Sequence, residues 1–368
     1  MARRIVVFLR MGRGFAGAVV FLAGEEDWMG IGSRRAAMTR RDLGGALLGM
    51  AGGAALAPDV ARAKAISSAP AEPAPRCAFW IDLYAGEPVE EEEVLDDLAG
   101  VQVVYLGERH RLARHHELQT RVVQQLAKRK VRLVLGLEQI EAVHQAALDR
   151  YVRGEISWEQ LAEAIQWAQR WPGYPQYRLL IEAARQAGAP IVALNARSET
   201  IRQVARGGGI ARLDPAARRE LPADMQLKDP PYENLLARQM MVHAAATPER
   251  LRPMIEAQIA RDEAMASALV SYLKSPAGEG RTAVVVCGAV HAAYGLGMVA
   301  RVRRRMAGVK DRICHFSESG DLELRPEELA AARPITITHE ELREIALPLG
   351  DYLHAVSPRP AAAGAAKP

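Results

Sequence analysis

Three features of the sequence predict an α/β fold with a mainly parallel central sheet, flanking helices and an additional helical cap or layer. Short continuous apolar runs recur at Val101 to Leu106, Val131 to Leu137, Ile191 to Leu194 and Ala283 to Cys287, each of the length of a buried strand. After each run, a polar break leads into a stretch whose apolar residues fall at helical spacing, such as Leu118, Val122, Val123 and Leu126. Strands alternating with helices in this way pair in parallel, because each crossover returns the chain to the same edge. Between the third and fourth runs lie two long helical stretches, Tyr232 to Ala246 and Glu249 to Leu273, which supply the extra layer.

The N-terminal region reads differently. Residues 1–37 match neither a signal nor a domain pattern, so we expect translation to begin at Met38. From there Thr39, Arg40, Arg41 and Leu43 are followed by a weakly hydrophobic Gly/Ala/Leu stretch to Leu56 and by small-x-small sites at Ala61 to Ala65. Basic, apolar and cleavable regions in that order predict a twin-arginine signal peptide over 38–65, hence export to the periplasm. The apolar stretch is too short and glycine-rich for a stable membrane span. A Pro/Ala linker follows over 66–78, where APRC before Cys77 lacks the small-residue box of a lipid anchor. The folded domain is expected over 79–357 and a disordered tail over 358–368.

Within the domain the expected order is strand Val101 to Leu106, helix His115 to Lys130, strand Val131 to Leu137 and helix Glu141 to Arg153. Ser157 with Gln160 forms a capping-box pattern for a helix to Gln169. A helix from Tyr177 to Ala187 ends at Gly188 and Pro190 before the strand Ile191 to Leu194. A helix over Ser198 to Arg206, the two long helices, the strand Ala283 to Cys287 and a helix over Leu296 to Ala307 come next. Ile313 to Phe316 and Tyr352 to Val356 are shorter strand candidates.

Charge and cysteine content exclude several classes. The formal charge is +4, but residues 1–65 hold ten bases against five acids, which leaves 38 bases against 39 acids in the remainder. The folded part therefore has no basic surplus for nucleic acid. Three cysteines make neither a disulfide framework nor a closed zinc site, and no CxxCH is present for covalent haem attachment.

Ligands of open parallel sheets collect outside the carboxyl ends of the strands. Four such ends carry unusual polar residues: Glu108 and His110 after the first run, Glu138 after the second, Asn195 and Arg197 after the third, and His291 with Tyr294 after the fourth. Parallel strands place all of them on one rim, with His116 at the start of the following helix. The segment RDEAMA, Arg261 to Ala266, reads instead as packing and salt-bridging, since Met265 and Leu269 continue an apolar stripe.

These residues resemble a known family. GERH at Gly107 to His110 and HHELQ at His115 to Gln119 look like the GExH motif and following helix of ChaN-like haem-binding proteins. LGLEQ (Leu135 to Gln139), LDRYVRGEIS (Leu148 to Ser157), APIVALNAR, RDEAMA and GAVHAAYGLG (Gly288 to Gly297) follow in the family's order. The resemblance spans about residues 79–357 and implies haem binding connected with iron uptake, through a homodimer that encloses haem and exchanges it with uptake components. The wider superfamily includes Tiki-type metalloproteases and TraB-like proteins. Arg111 and Leu112 stand where the family commonly has Asp-Asn, Leu137, Glu138 and Gln139 where it has Met-Glu-Met, and Val299 where a proline is usual.

Two chemical readings follow, with a third class beside them. For haem, the iron donors on offer are His291, Tyr294, His110 and His116, with Arg197 placed to pair with propionates and Asn195 beside them. For a hydrolase, Glu108, His110, Glu138 and His291 would hold a divalent cation, or a Glu-His pair would act as general base without metal. A protein-interaction module would use the surface of Tyr232 to Leu273 instead.

Overall fold

The computed structural model describes residues 5–11, 15–21, 76–243, 248–318 and 348–358. The expected signal peptide over 38–65, most of the linker and the tail beyond 358 lie outside the described residues. Within the segment expected to carry no domain pattern, β1 (Ile5–Met11) and β2 (Phe15–Phe21) pair as an antiparallel hairpin.

The main body opens with β3 (Arg76–Asp82), β4 (Glu87–Val89) and α1 (Glu91–Ala99). The chain continues through β5 (Val103–Glu108), α2 (Ala113–Lys128), β6 (Leu133–Glu141), α3 (Gln145–Val152), α4 (Trp158–Ala164), α5 (Trp167–Arg170), α6 (Arg178–Gln186) and β7 (Ile191–Asn195). Next come α7 (Ser198–Gly207), α8 (Pro215–Arg219), α9 (Pro230–His243), α10 (Pro248–Leu273), β8 (Thr282–Gly288), α11 (Gly297–Arg305), β9 (Asp311–Glu318) and β10 (Tyr352–Pro358).

The sheet order is β4-β3-β10-β9-β5-β8-β6-β7. Six strands, from β10 to β7, run parallel, and β3 and β4 close one edge antiparallel. Each expected strand is present. The expectation missed β3, β4 and α1; β3 begins at Arg76, inside the expected linker, because it pairs with β10 along its whole length. The expected helix Ser157 to Gln169 is split: Ser157 and Gln160 do form the capping box, but Gln166 takes a left-handed conformation with φ 52°. The break turns Trp167 inward, where its indole N–H donates to Gln139 O at 2.9 Å.

Side-chain alternation along the strands divides the core in two. On one face Val104, Leu106, Leu135 and Leu137 meet Val122, Val123 and Leu126 of α2 and Leu180, Ile181 and Ala184 of α6. On the other, Val103, Tyr105, Val134 and Val285 meet Met265 and Leu269 of α10 and Met298, Val299 and Val302 of α11. The helical layer expected from the sequence is α9 with the first half of α10, joined through Tyr232, Leu236, Ile255 and Ile259. Among the described residues no helix is long and apolar enough to cross a membrane.

Candidate functional site

The neighbouring strands β5 and β8 send their chains to opposite faces of the sheet, β5 into α2 and β8 into α11. The outgoing loops part there, at the carboxyl edge, the usual ligand position in such sheets. Glu108 ends β5 with the parity of Leu106 and enters the α2 side; Glu138 has the parity of Val134 and enters the α10 side.

Glu108 is buried and accepts from four elements. His110 Nδ1 lies 2.8 Å from Oε1, Gln119 Nε2 donates to Oε2 at 2.6 Å, Gln139 Nε2 donates to Oε1 at 3.0 Å, and the Tyr177 hydroxyl donates to Oε1. Burial pushes the Glu108 carboxyl up, but the His110 hydrogen bond and the neighbouring imidazoles outweigh it and hold the group below its ordinary value. Burial likewise pushes His110 down, and its bond to Glu108 and the charge of Glu138 reverse this to a raised value.

On the other side His291 is buried between two carboxylates. Its Nδ1 lies 2.6 Å from Asp262 Oδ1 and its Nε2 3.1 Å from Glu138 Oε1. Burial opposes its charge, yet Glu138 and Asp262 raise His291 to about 10, so it is an imidazolium at neutral pH. Glu138 is also buried and is held below the usual carboxylate range by His291, against desolvation, with the Gly288 N–H donating to its Oε2 at 2.6 Å. Tyr232 donates to Asp262 Oδ2 at 2.6 Å. Asn195 supports the same side: its Nδ2 donates to Glu138 O at 3.0 Å and its Oδ1 accepts from buried Arg261 at 3.3 Å.

Gly288 joins the halves. A Cβ there would stand 2.9 Å from His110 Nε2, 3.0 Å from His110 Cε1 and 3.5 Å from His291 Cδ2, so the imidazole of His110 occupies the space a side chain would take. Gly297 has φ +55°, and a Cβ on it would meet His291 O at 2.5 Å, which fixes the turn carrying His291.

The structure thus brings Glu108, His110, Glu138, His291 and Asn195 to one rim, with His116 behind it. His116 has Nε2 on His110 O at 3.1 Å, while its buried Nδ1 lies 3.4 Å from Glu108 Oε2 without a hydrogen bond; both ring nitrogens of His291 are engaged. Among the described residues His110 Nε2 has no hydrogen-bond partner, and the His110 side chain is 20% exposed. Tyr294, in a left-handed conformation at φ 60°, packs against the α9–α10 cluster; its hydroxyl has no partner among the described residues, and burial raises its pKa. Backbone strain of this kind in a non-glycine residue concentrates at functional sites.

Two expectations need correction. Arg197 is not gathered with the rim residues but half-exposed, paired with Glu220 at 3.1 Å and Glu199 at 3.4 Å. Nor do Glu108, His110, Glu138 and His291 converge as a cation site: among the described residues no three His, Cys, Asp or Glu side chains are arranged to hold a metal ion. Each carboxylate is already turned onto an imidazole or amide instead. RDEAMA is likewise more than a packing segment, because Asp262 and Arg261 both reach the site. Asp262, Gln119, Gln139, Tyr177 and Tyr232 were not singled out from the sequence. A signal for two of them exists: Asp262 lies in helical register with buried Met265, Ala266 and Leu269, and Gln119 with Val122, Val123 and Leu126. A polar residue on a buried stripe must have a partner.

The surface depressions lie elsewhere, one at the amino end of β7 beside Asp149, Arg185 and Ile191, the other beside Tyr151, Trp158 and Arg178.

Comparison with known proteins adds a family. A family model described as haem-binding uptake, Tiki superfamily, ChaN matches residues 94–302, more than half of the chain. No curated protein sequence matches. Among solved structures, ChaN of Campylobacter jejuni with cofacially bound haem superposes with TM-score 0.56 at 16% identity, covering 76% of this chain and 97% of its own, a likeness of fold. The type III effector HopBA1 (TM-score 0.37, 13% identity, 71% and 90% covered) and a mutant of erythromycin esterase EreC in its open conformation (0.39, 13%, 66% and 77%) are more distant.

Proposed function

The chain belongs to the ChaN family of haem-binding uptake proteins in the Tiki superfamily, and from that premise we propose that it is an exported protein that binds haem at the carboxyl-edge crevice for uptake or handling of haem iron. The observation that carries this reading is the state of the donor atoms among the described residues: both ring nitrogens of His291 are engaged and the unpartnered Nδ1 of His116 is buried behind Glu108, which leaves the partly exposed His110 Nε2 and the Tyr294 hydroxyl. Haem presents an iron that accepts an axial nitrogen or oxygen donor from the protein. His110 Nε2 lies beside Gly288 at the carboxyl end of β8, and the Tyr294 hydroxyl is the other open donor, on a residue packed against the α9–α10 cluster. Glu108 fixes the His110 ring through Nδ1, as a carboxylate behind a ligating histidine does, and strengthens Nε2 as a donor. His291, charged and clasped by two carboxylates, holds the floor of the site together.

Export rests on the twin-arginine pattern over 38–65. A homodimer that encloses haem between two rims, and uptake components that deliver or receive it, complete the reading. The test is a Soret titration of wild type, His110→Ala, Tyr294→Phe and His291→Gln. His110→Ala, alone or with Tyr294→Phe, lowers affinity at least about tenfold, a loss of about 1.4 kcal/mol. Wild-type affinity in the double variant rejects the assignment.

One observation favours a second reading. A buried carboxylate orienting an imidazole whose other nitrogen is open is the arrangement of a general base, so a metal-free Glu108-His110 hydrolase fits the same geometry. Ester hydrolysis lost in His110→Ala would support it, and none above buffer in the wild type would reject it.

A further inference from the structure

We propose that Trp171 and Tyr177 are positioning residues that hold the His110 imidazole in place, Tyr177 through Glu108 and Trp171 through its ring set against the imidazole. The inference rests on the reading that His110 presents the working nitrogen, and it holds for either chemistry above.

Both residues come from the irregular segment between α5 and α6. The Tyr177 hydroxyl donates to Glu108 Oε1, the same oxygen that accepts from His110 Nδ1 at 2.8 Å. The Trp171 ring is set edge-on to the His110 imidazole at 4.7 Å and 81°. The imidazole is therefore held on three sides: Nδ1 by a carboxylate oxygen, the ring by an indole, and the Nε2 edge by the bare backbone of Gly288.

The support is rigid behind them. Tyr177 is fully buried with its ring 4.3 Å from that of His116. Trp171 sits one turn after Trp167, its N–H on Trp167 O at 2.7 Å, and Trp167 stacks on Tyr174 at 5.2 Å. A role in packing alone would not require the phenol O–H to share a carboxylate oxygen with His110 Nδ1. Hydrogen bonds in one network polarise one another, so the phenol is felt at the imidazole.

The hydrogen bond itself is the readout. Haem-free full-length protein with 15N-labelled histidine is examined by NMR, and the His110 Nδ1 proton is assigned by its loss in His110→Gln. Tyr177→Phe removes one of the donors sharing Oε1, so the His110 bond strengthens and its proton resonance moves downfield. Trp171→Leu removes the indole set against the imidazole, so the ring loses a restraint and its Nδ1 proton exchanges faster with water. A Tyr177→Phe resonance that is unmoved or moves upfield, a Trp171→Leu exchange rate equal to wild type, or a resonance absent from the wild type overturns the proposal. Should Tyr177→Phe fail to fold, the half-buried Trp171→Leu decides alone. Because no haem is present, a failure to bind haem leaves this result unaffected.

Discussion

Replacing Gly288 with alanine displaces His110 without removing any polar group, since alanine keeps the N–H that Glu138 accepts. The added carbon would stand 2.9 Å from Nε2 and 3.0 Å from Cε1 of His110. Ordinary contact needs about 3.5 Å, so the ring must retreat by about half an ångström. Backbone on both sides of β8 is locked in the sheet, whereas His110 is 20% exposed and can swing outward. Doing so stretches the 2.8 Å bond to Glu108. A hydrogen bond to a charged group contributes about 1.5–3 kcal/mol, so Gly288→Ala should cost about 2 kcal/mol. For a domain of this size that is a fall of roughly 4–8 °C in Tm. Circular-dichroism melts and a parallel haem titration measure both consequences, the second being a loss of affinity of at least about tenfold. Wild-type Tm together with wild-type affinity would refute the geometry on which the crevice rests.

Removing the imidazolium should be more damaging. His291→Gln leaves Glu138 and Asp262 buried without their shared cation, a loss of about 3–5 kcal/mol that equilibrium urea unfolding would register. Because the folded value of His291 is raised, its stabilisation is complete below its ordinary 6.5 and fades as pH climbs toward about 10. Tm should therefore decline from pH 7 to 10 in the wild type and less steeply in His291→Gln; equal slopes would show that His291 is not charged in the fold. Iron must displace the proton of His110, which Glu108 and Glu138 hold against burial. Haem affinity should accordingly rise with pH above 6.5, and this dependence should vanish in His110→Ala.

The sequence shows the sheet clearly because buried parallel strands are unbroken apolar runs, and β5, β6, β7 and β8 all are. It shows the rim for the same reason, since Glu108, Glu138 and Asn195 interrupt those runs at their carboxyl ends. The antiparallel edge was illegible: β3 includes Arg76 and Asp82 and is a strand only because β10, far away in the chain, pairs with it. The partners of the rim were hidden differently. Asp262 and Tyr232 lie on helices whose apolar stripes read as core, and the crossing of α10 over the sheet, not any local pattern, brings them to His291. Trp171 and Tyr177 depend on a left-handed break at Gln166 that helical periodicity does not reveal. Arg197 shows the converse error: its place after β7 was right, but two nearby acids turn it to the surface.

The most decisive observation would be the iron position in a crystal structure of the haem-loaded protein. Iron within about 2 Å of His110 Nε2 or the Tyr294 oxygen, with Glu108 still on His110 Nδ1, is the expected outcome. Iron bound anywhere away from the β5–β8 edge, or ligated by His291 with its two carboxylates displaced, would contradict it.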